Sequence, residues 1–96
     1  MSTQLSFSRT ASVTADGNLT SDTVIAVTGI TLDAEAACEI AVFDGSDASG
    51  TLLENLSAAI STSRPVTYAY PLKVNSGKVF VTVAGSGRAI VHYLRA

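Results

Sequence analysis

Valine occupies every second position from residue 79 to residue 83 in the stretch KVFVTVAG, residues 78–85, and this alternation limits the fold more than any other feature of the chain. Val79, Val81 and Val83 fall on one face of an extended chain, and the residues between them fall on the other. A period of two residues is typical of a half-buried β-strand. The stretch therefore predicts a strand with one face in a core.

The same period returns in several segments separated by turn-forming residues. They are QLSFSRTASVTA, CEIAVFDG and AIVHYL, whereas TVIAVTGITL is apolar on both faces from Val24 to Val27 and RPVTYAYPLKV has the pattern of an extended chain. Asp-Gly at residues 16–17, DAEAA at 33–37 and NSG at 75–77 predict turns or connectors, and GSGR at 85–88 predicts a tight hairpin. The pattern predicts an all-β fold, an antiparallel β-sandwich of about seven or eight strands that is jelly-roll-like or immunoglobulin-like.

The length of 96 residues suits one domain, because two halves of this size would each bury too small a core. We therefore expect a single β-sandwich domain over residues 1–96. Its first eight residues, 1–8, offer only Leu5 and Phe7 for burial in a Ser- and Thr-rich setting. An extended N-terminal arm over this segment is an open alternative to local folding.

The segment TLLENLSAAI leaves its secondary structure open. Leu52, Leu53, Leu56 and Ile60 have a spacing that also suits a short amphipathic helix. The β character of the sequence on both sides favours a strand, and the strand order around residues 51–64 stays open.

Charge and hydropathy exclude several classes of partner. The net charge is −2, the pI is about 5.0, and the six basic residues are spread singly along the chain, whereas a nucleic-acid-binding protein needs a basic patch. The N-terminal residues lack the pattern of a secretory signal, and the apolar stretch at residues 23–32 has about half the length of a membrane span. We expect a protein made in a reducing cytoplasm that binds neither nucleic acid nor membrane.

The acidic stretch VFDGSDASGTLL raises the question of a metal site. A calcium loop of the EF-hand type needs oxygen ligands at alternate positions and helices on both sides. Asp44 and Asp47 are three residues apart, and their flanks have strand patterns. Asp and Gly are also the residues that build tight turns. We therefore predict a turn between two strands and no metal.

Residues suited to catalysis are scarce. Cys38, the one cysteine, lies in the apolar run AACEIAVF, and this position predicts that its thiol is buried. His92, the one histidine, lies in the predicted strand IVHYL. We expect its side chain to be half-buried in that strand or to face a partner. One Cys and one His cannot complete a zinc site, and no G-x-S-x-G motif occurs. The sequence predicts a protein that is not an enzyme and has no catalytic residues and no cofactor.

Tyr68 and Tyr70 are the best candidates for a partner-binding surface. They share one face of a predicted strand, and Arg64 precedes them on it. Tyrosine and arginine are enriched in protein interfaces, although a tyrosine ring packed in the core with its hydroxyl at the surface is the alternative. Pro65 and Pro71 bracket this stretch and suit a strand start or an edge strand. We predict that Arg64, Tyr68 and Tyr70 contact a partner.

The order of the segments resembles that of small virion proteins of tailed bacteriophages. The matching pieces are IAVFDGSDASGTLL, YAYPLKVNSGKVFVTVAGSG and AIVHYL, and the resemblance covers about residues 19–94. That family has a core strand ending in YDG or similar, a small-residue turn, a leucine-rich strand, an aromatic-proline strand, a valine-rich strand and a terminal strand that ends in Tyr. Here Phe43 takes the place of the tyrosine of YDG.

The resemblance implies a non-enzymatic β-sandwich attached to a capsid or tail as a decoration, cement or accessory subunit, and the interpretation we adopt is a capsid decoration or cement protein that stabilises the particle. It implies the major capsid protein or other virion subunits as partners, together with further copies of the chain in a homo-oligomer. A carbohydrate- or host-surface-binding module of a phage tail or fibre is the alternative, and the absence of Trp weakens it.

Overall fold

A computed structural model describes residues 7–96, and its centre is a pair of long antiparallel strands. Strand β3 (Val24–Asp44) pairs with β6 (Val79–Arg95) along nearly its whole length. Four shorter strands flank this pair, all of them antiparallel to their neighbours. On the β6 side lie β1 (Phe7–Val13) and β2 (Gly17–Asn18), and on the β3 side lie β4 (Thr51–Ala58) and β5 (Thr62–Lys73).

The predicted all-β antiparallel class is confirmed. The six strands belong to one sheet, so a sandwich of seven or eight separate strands is not confirmed. The strand count differs because two segments predicted as connections, residues 33–37 and 85–88, lie inside β3 and β6. The hairpin predicted at residues 85–88 is therefore wrong, because the chain continues through it in the same strand.

The two misassigned segments lie opposite each other and bend the sheet. Ala34 pairs with Gly87 and Cys38 pairs with Gly85, so three residues of β3 face one residue of β6. Such a bulge bends a strand sharply without reversing it. The backbones approach so closely here that a Cβ atom on Gly85 would lie 2.2 Å from the carbonyl oxygen of Ala37, and Gly85 has a φ of +98°.

The flanking strands break along the same line. Residues 14–16 separate β1 from β2 beside β6, and residues 59–61 separate β4 from β5 beside β3. The Asp16 carboxylate accepts a hydrogen bond of 2.7 Å from the Val83 amide beside the first break. Ser61 has a φ of 57° in the second. The chain also does not reverse at Asp16-Gly17, since Gly17 continues along β6 as part of β2.

This bend line divides the sheet into two limbs. The first limb contains β1, β5, residues 24–34 of β3 and residues 87–95 of β6, and the second contains β2, β4, residues 38–44 of β3 and residues 79–85 of β6.

The bend brings the two ends of β3 together. The segment 74–78 joins β5 to β6 and bonds to both ends of β3: the Val24 amide donates to Gly77 O at 2.9 Å, and the Gly45 amide donates to Lys78 O at 3.0 Å. A straight strand of 21 residues would be about 70 Å long. Gly77 and Lys78 are adjacent in the sequence. They can bond to both ends of β3 only because β3 folds back on itself.

The core is rich in valine and lies along the two central strands. The largest fully buried side chains all come from β3 and β6, five from the first limb and four from the second: Val24, Val27, Ile30, Leu32, Val91, Ile40, Val42, Val79 and Val81. All of them belong to one hydrophobic cluster. Side chains of both limbs therefore contribute to a common interior.

For the segments on the β3 side of the sheet, the structure decides between the alternatives that the sequence left open. The helical alternative for TLLENLSAAI is wrong, because residues 51–58 form β4. Among the described strands β5 pairs only with β3, so it is an edge strand, which suits its two prolines.

Of the proposed arm over residues 1–8, positions 1–6 lie outside the described residues, and Phe7 and Ser8 begin β1. Within residues 7–96 no helix is long and apolar enough to cross a membrane.

Replacing Gly85 should destabilise the protein. In Gly85→Ala the new methyl group would collide with the main chain at Ala37 and force a left-handed residue, at a cost of about 2–4 kcal/mol. Thermal unfolding should show a loss of at least about 8 °C in Tm. Gly17→Ala is the matched control, because a Cβ atom there meets nothing within 4 Å. Equal Tm values for the two variants would contradict the role given to Gly85.

Candidate partner-binding surface

Exposed apolar side chains concentrate on the edge formed by residues 51–73, which we call the β4–β5 edge. The large exposed hydrophobic residues of the described chain are Leu52, Ile60 and Tyr70, with exposed fractions of 54%, 65% and 89%. All three lie on this one edge of the sheet. They are spread along it, since Leu52 is near the start of β4, Ile60 lies between β4 and β5, and Tyr70 is near the end of β5. Exposed apolar groups along one edge are a feature of interaction sites when they form a continuous surface.

Tyr70 owes its exposure to a bulge in β5. Thr67 pairs with Gly29 and Leu72 pairs with Val27, so the four residues 68–71 of β5 face a single residue of β3. The extra residues cannot all join the ladder of hydrogen bonds, and Pro71 among them has no amide hydrogen to donate. The bulge therefore holds Tyr70 away from the sheet.

Tyr68 is turned towards the interior. Its ring is half-buried and packs against the core, and its hydroxyl donates a hydrogen bond of 2.7 Å to Glu54 Oε2. Burial, followed by the hydrogen bond and the charge of Glu54, raises the pKa of Tyr68 far above its ordinary value. Because Glu54 belongs to β4 and Tyr68 to β5, this bond joins the two limbs at the edge of the sheet.

Arg64 also connects β5 to β4. Its Nη1 donates a hydrogen bond of 3.0 Å to the carbonyl oxygen of Ser57 and spans the break between the two strands. Of the three residues predicted to contact a partner, Arg64 and Tyr68 therefore bond to β4, while Tyr70 extends into solvent. The two tyrosines were expected on one face, but the bulge gives them different surroundings.

The sequence reasoning missed Leu52, Glu54 and Ile60. One signal for Leu52 is available in the sequence, since successive side chains of a strand point to opposite faces and only one residue of the pair Leu52-Leu53 can face the core. The structure has Leu53 half-buried against the core and Leu52 exposed. The Glu54 contact has no such signal, because it depends on which strands flank β3.

The acidic stretch forms the predicted turn, at residues 45–50 between β3 and β4. Asp47 accepts hydrogen bonds from the Ser49 hydroxyl and, at 2.9 Å, from the Ser49 amide, and these bonds lower the pKa of Asp47. Its carboxylate thus stabilises its own loop, as expected of Asp in turns. Within residues 7–96 no group of three or more His, Cys, Asp or Glu side chains is placed to hold a metal ion.

Asp44 links the end of β3 to the turn that precedes β6. Its carboxylate accepts hydrogen bonds from the Asn75 amide at 2.8 Å, the Ser76 amide at 3.0 Å and the Ser76 hydroxyl at 2.6 Å. Burial alone would raise the pKa of Asp44, but the three bonds outweigh it and hold that pKa below the ordinary value. Asp44 therefore helps to hold the folded-back sheet together.

Cys38 and His92 lie where the sequence predicts them. Cys38 is buried, and burial raises the pKa of its thiol, which disfavours the reactive thiolate. It borders a shallow hollow of about 490 Å³ next to the bend line, lined mostly by small residues. His92 is half-buried in β6, with Nδ1 3.2 Å from the Thr10 hydroxyl.

Removing the Tyr68 hydroxyl should weaken the connection between the limbs. Tyr68→Phe should cost about 0.5–1.5 kcal/mol, because the half-buried Glu54 loses a hydrogen-bond partner. Tyr70→Phe is the matched control and should leave stability within about 0.5 kcal/mol. Urea unfolding measures both. A smaller loss for Tyr68→Phe than for Tyr70→Phe would contradict this assignment.

Tyr68 should also make the protein sensitive to alkali. Its folded pKa lies above the ordinary value of 10, so its contribution to stability is complete below about pH 10 and is lost as the pH rises further. The wild-type protein should therefore lose stability above pH 10 more steeply than Tyr68→Phe.

Asp44 should contribute to acid sensitivity. Its folded pKa lies below the ordinary value of 3.8, so its contribution is present above that value and is lost as the pH falls through the lower folded pKa. Asp44→Ala should cost about 1–2 kcal/mol near pH 7 and flatten the fall in stability between about pH 5 and pH 2. Asp47→Ala, which affects only its own loop, should have the smaller effect at pH 7. Parallel pH profiles of unfolding for wild type and Asp44→Ala would contradict the role of these bonds.

In the β4–β5 edge, hydrogen bonds of Tyr68 and Arg64 connect β5 to β4, and Leu52, Ile60 and Tyr70 are exposed to solvent. Family models, curated proteins and solved structures were searched for relatives of this chain, and none matches it.

Proposed function

We propose that the protein is a non-enzymatic structural protein of a bacteriophage virion, which decorates or cements the capsid through its β4–β5 edge. The observation that carries this proposal is that the large exposed hydrophobic residues of the described chain, Leu52, Ile60 and Tyr70, all lie along that edge. The virion setting rests on the segment order, which resembles that of small virion proteins of tailed phages. The partner is the major capsid protein or a neighbouring virion subunit.

The physical properties of the edge support a binding role. A tyrosine side chain brings a large apolar surface at a low cost in conformational entropy, and Tyr70 has nearly all of that surface available. The hydrogen bonds of Tyr68 and Arg64 to β4 limit the movement of the strand that presents Tyr70. A preorganised surface loses less entropy on binding than a mobile one.

We further infer that the two limbs act as the two layers of a sandwich. The return of β3 to its own starting point through residues 74–78 supports this inference, as does the common cluster of buried side chains from both limbs. Two packed layers form a rigid body with a narrow edge. A rigid body repeated many times on a lattice gains stability through avidity even when each contact is weak.

The test is the addition of purified protein to undecorated capsids of the same phage. Wild type should sediment with the capsids and raise their melting temperature. Tyr70→Ala should lower capsid affinity about tenfold or more while its own Tm stays within about 2 °C of wild type. Thr14→Ala, an exposed change on the opposite side of the sheet, is the control and should bind like wild type.

Two outcomes would overturn the proposal. Equal capsid occupancy for wild type and Tyr70→Ala would remove the β4–β5 edge as the contact. Binding to a glycan array without affinity for capsids would instead support a carbohydrate-binding module of a tail or fibre.

A further inference from the structure

Within residues 7–96 the outer edge of β1 pairs with no other strand, and β1 contains neither a proline nor a bulge; Arg9 is its one charged residue. Among the described strands β1 pairs only with β6, and its seven residues do so in unbroken register. On the other side of the sheet, β5 is interrupted by Pro65, Pro71 and the bulge at residues 68–71. Prolines and bulges hinder pairing with a further chain, and a regular edge without them can accept another strand.

The sequence of β1 is self-complementary about Thr10. Consider two β1 strands that run antiparallel with a twofold axis at that residue. Thr10 then faces its own copy, Ser8 faces Ser12, and Arg9 faces Ala11. Pairs of Ser and Thr on neighbouring strands are favourable, and no charge lies opposite a like charge. A twofold contact requires this kind of match, because the same surface serves both partners.

The charge of Arg9 selects among the possible registers. A register centred on Arg9 would place two guanidinium groups directly opposite each other, which is destabilising. In the register centred on Thr10, each Arg9 lies beside Ala11 of the other copy. Ala11 is half-buried and packs against the core, so the aliphatic part of the arginine side chain can cover it while the charge stays in water.

The side chains along β1 leave its edge accessible. Ser8, Thr10 and Ser12 are exposed, and they share the face of the strand that points away from the core, since Ala11 and Val13 are the residues that contribute to the core. These three side chains are small, so a second strand can approach the β1 backbone on this face of residues 8–12. Arg9 is also exposed, but it belongs to the other face of the strand together with Ala11 and Val13.

We propose that two copies of this chain associate by antiparallel pairing of their β1 strands about a twofold axis at Thr10, which joins their sheets into one continuous sheet. The contact of one pair of short strands is smaller than a standard interface of about 1,600 Å². The dimer is therefore weak in dilute solution and is favoured where copies are concentrated, as on a lattice. The contact itself needs no virion partner.

Cysteine cross-linking of the full chain tests the register directly. Directly opposite residues of an antiparallel pair have Cα atoms about 4.5–5.5 Å apart, which is within the range of a disulfide. The two cysteines introduced by Thr10→Cys therefore lie opposite each other. Those introduced by Ser12→Cys lie four residues apart along the strands, about 13 Å, which is too far. Cys38 is buried and common to both variants.

The expected result is a disulfide-linked dimer of Thr10→Cys under mild oxidation at high protein concentration. Its yield on a non-reducing gel should exceed that of Ser12→Cys at least fivefold, with unchanged circular dichroism for both variants. Equal yields, or no cross-link for a folded Thr10→Cys, would overturn the proposed register.

A charge-reversal pair keeps the test independent of disulfide chemistry. Thr10→Lys and Thr10→Glu each place like charges opposite each other and should sediment as monomers at concentrations where wild type dimerises. An equimolar mixture should restore the dimer, because the charges then attract. Ser12→Lys, which places its charge opposite Ser8, should dimerise like wild type. Failure of the mixture to dimerise would overturn the proposal and would leave capsid binding through the β4–β5 edge unaffected.

Discussion

The close approach of two backbones at Gly85 and Ala37 is the contact on which the rest of the structure depends. No side chain larger than hydrogen fits between them at Gly85. This allows the two central strands to bend together and keeps β3 and β6 paired on both sides of the bend. Without the bend, residues 74–78 could not reach both ends of β3, and the valine-rich faces of the two limbs could not share one interior.

Much of the fold can be predicted from the alternation of apolar and polar residues. This alternation indicates where the strands lie. The Asp, Ser and Gly residues between Asp44 and Gly50 indicate a turn, because such residues form local hydrogen bonds or adopt turn conformations. The continuity of β3 and β6 cannot be predicted in this way. Glycine and small residues permit both a chain reversal and a bend within a strand, and only the pairing partner decides between them. Here the two ambiguous segments, residues 33–37 and residues 85–88, lie opposite each other in the pairing of β3 with β6.

The candidate surface could be predicted only in part. The position of Tyr68 and Tyr70 two residues apart suggests one shared face, but this inference assumes a regular strand. The bulge at residues 68–71 breaks the regularity, and so Tyr68 bonds to Glu54 while Tyr70 is exposed. Arg64 is likewise engaged by a carbonyl group of a neighbouring strand. Such contacts depend on tertiary structure, which local patterns do not encode.

The central position of β6 has a consequence for the synthesis of the protein. This strand is the last of the six to leave the ribosome, yet β1, β2 and β3 all pair with it. A nascent chain that ends before residue 79 has an apolar β3 that lacks β6 on one side and a β1 that lacks its one partner among the described strands. Folding of the described sheet must therefore wait for β6, and until then the unpaired strand edges expose the chain to aggregation.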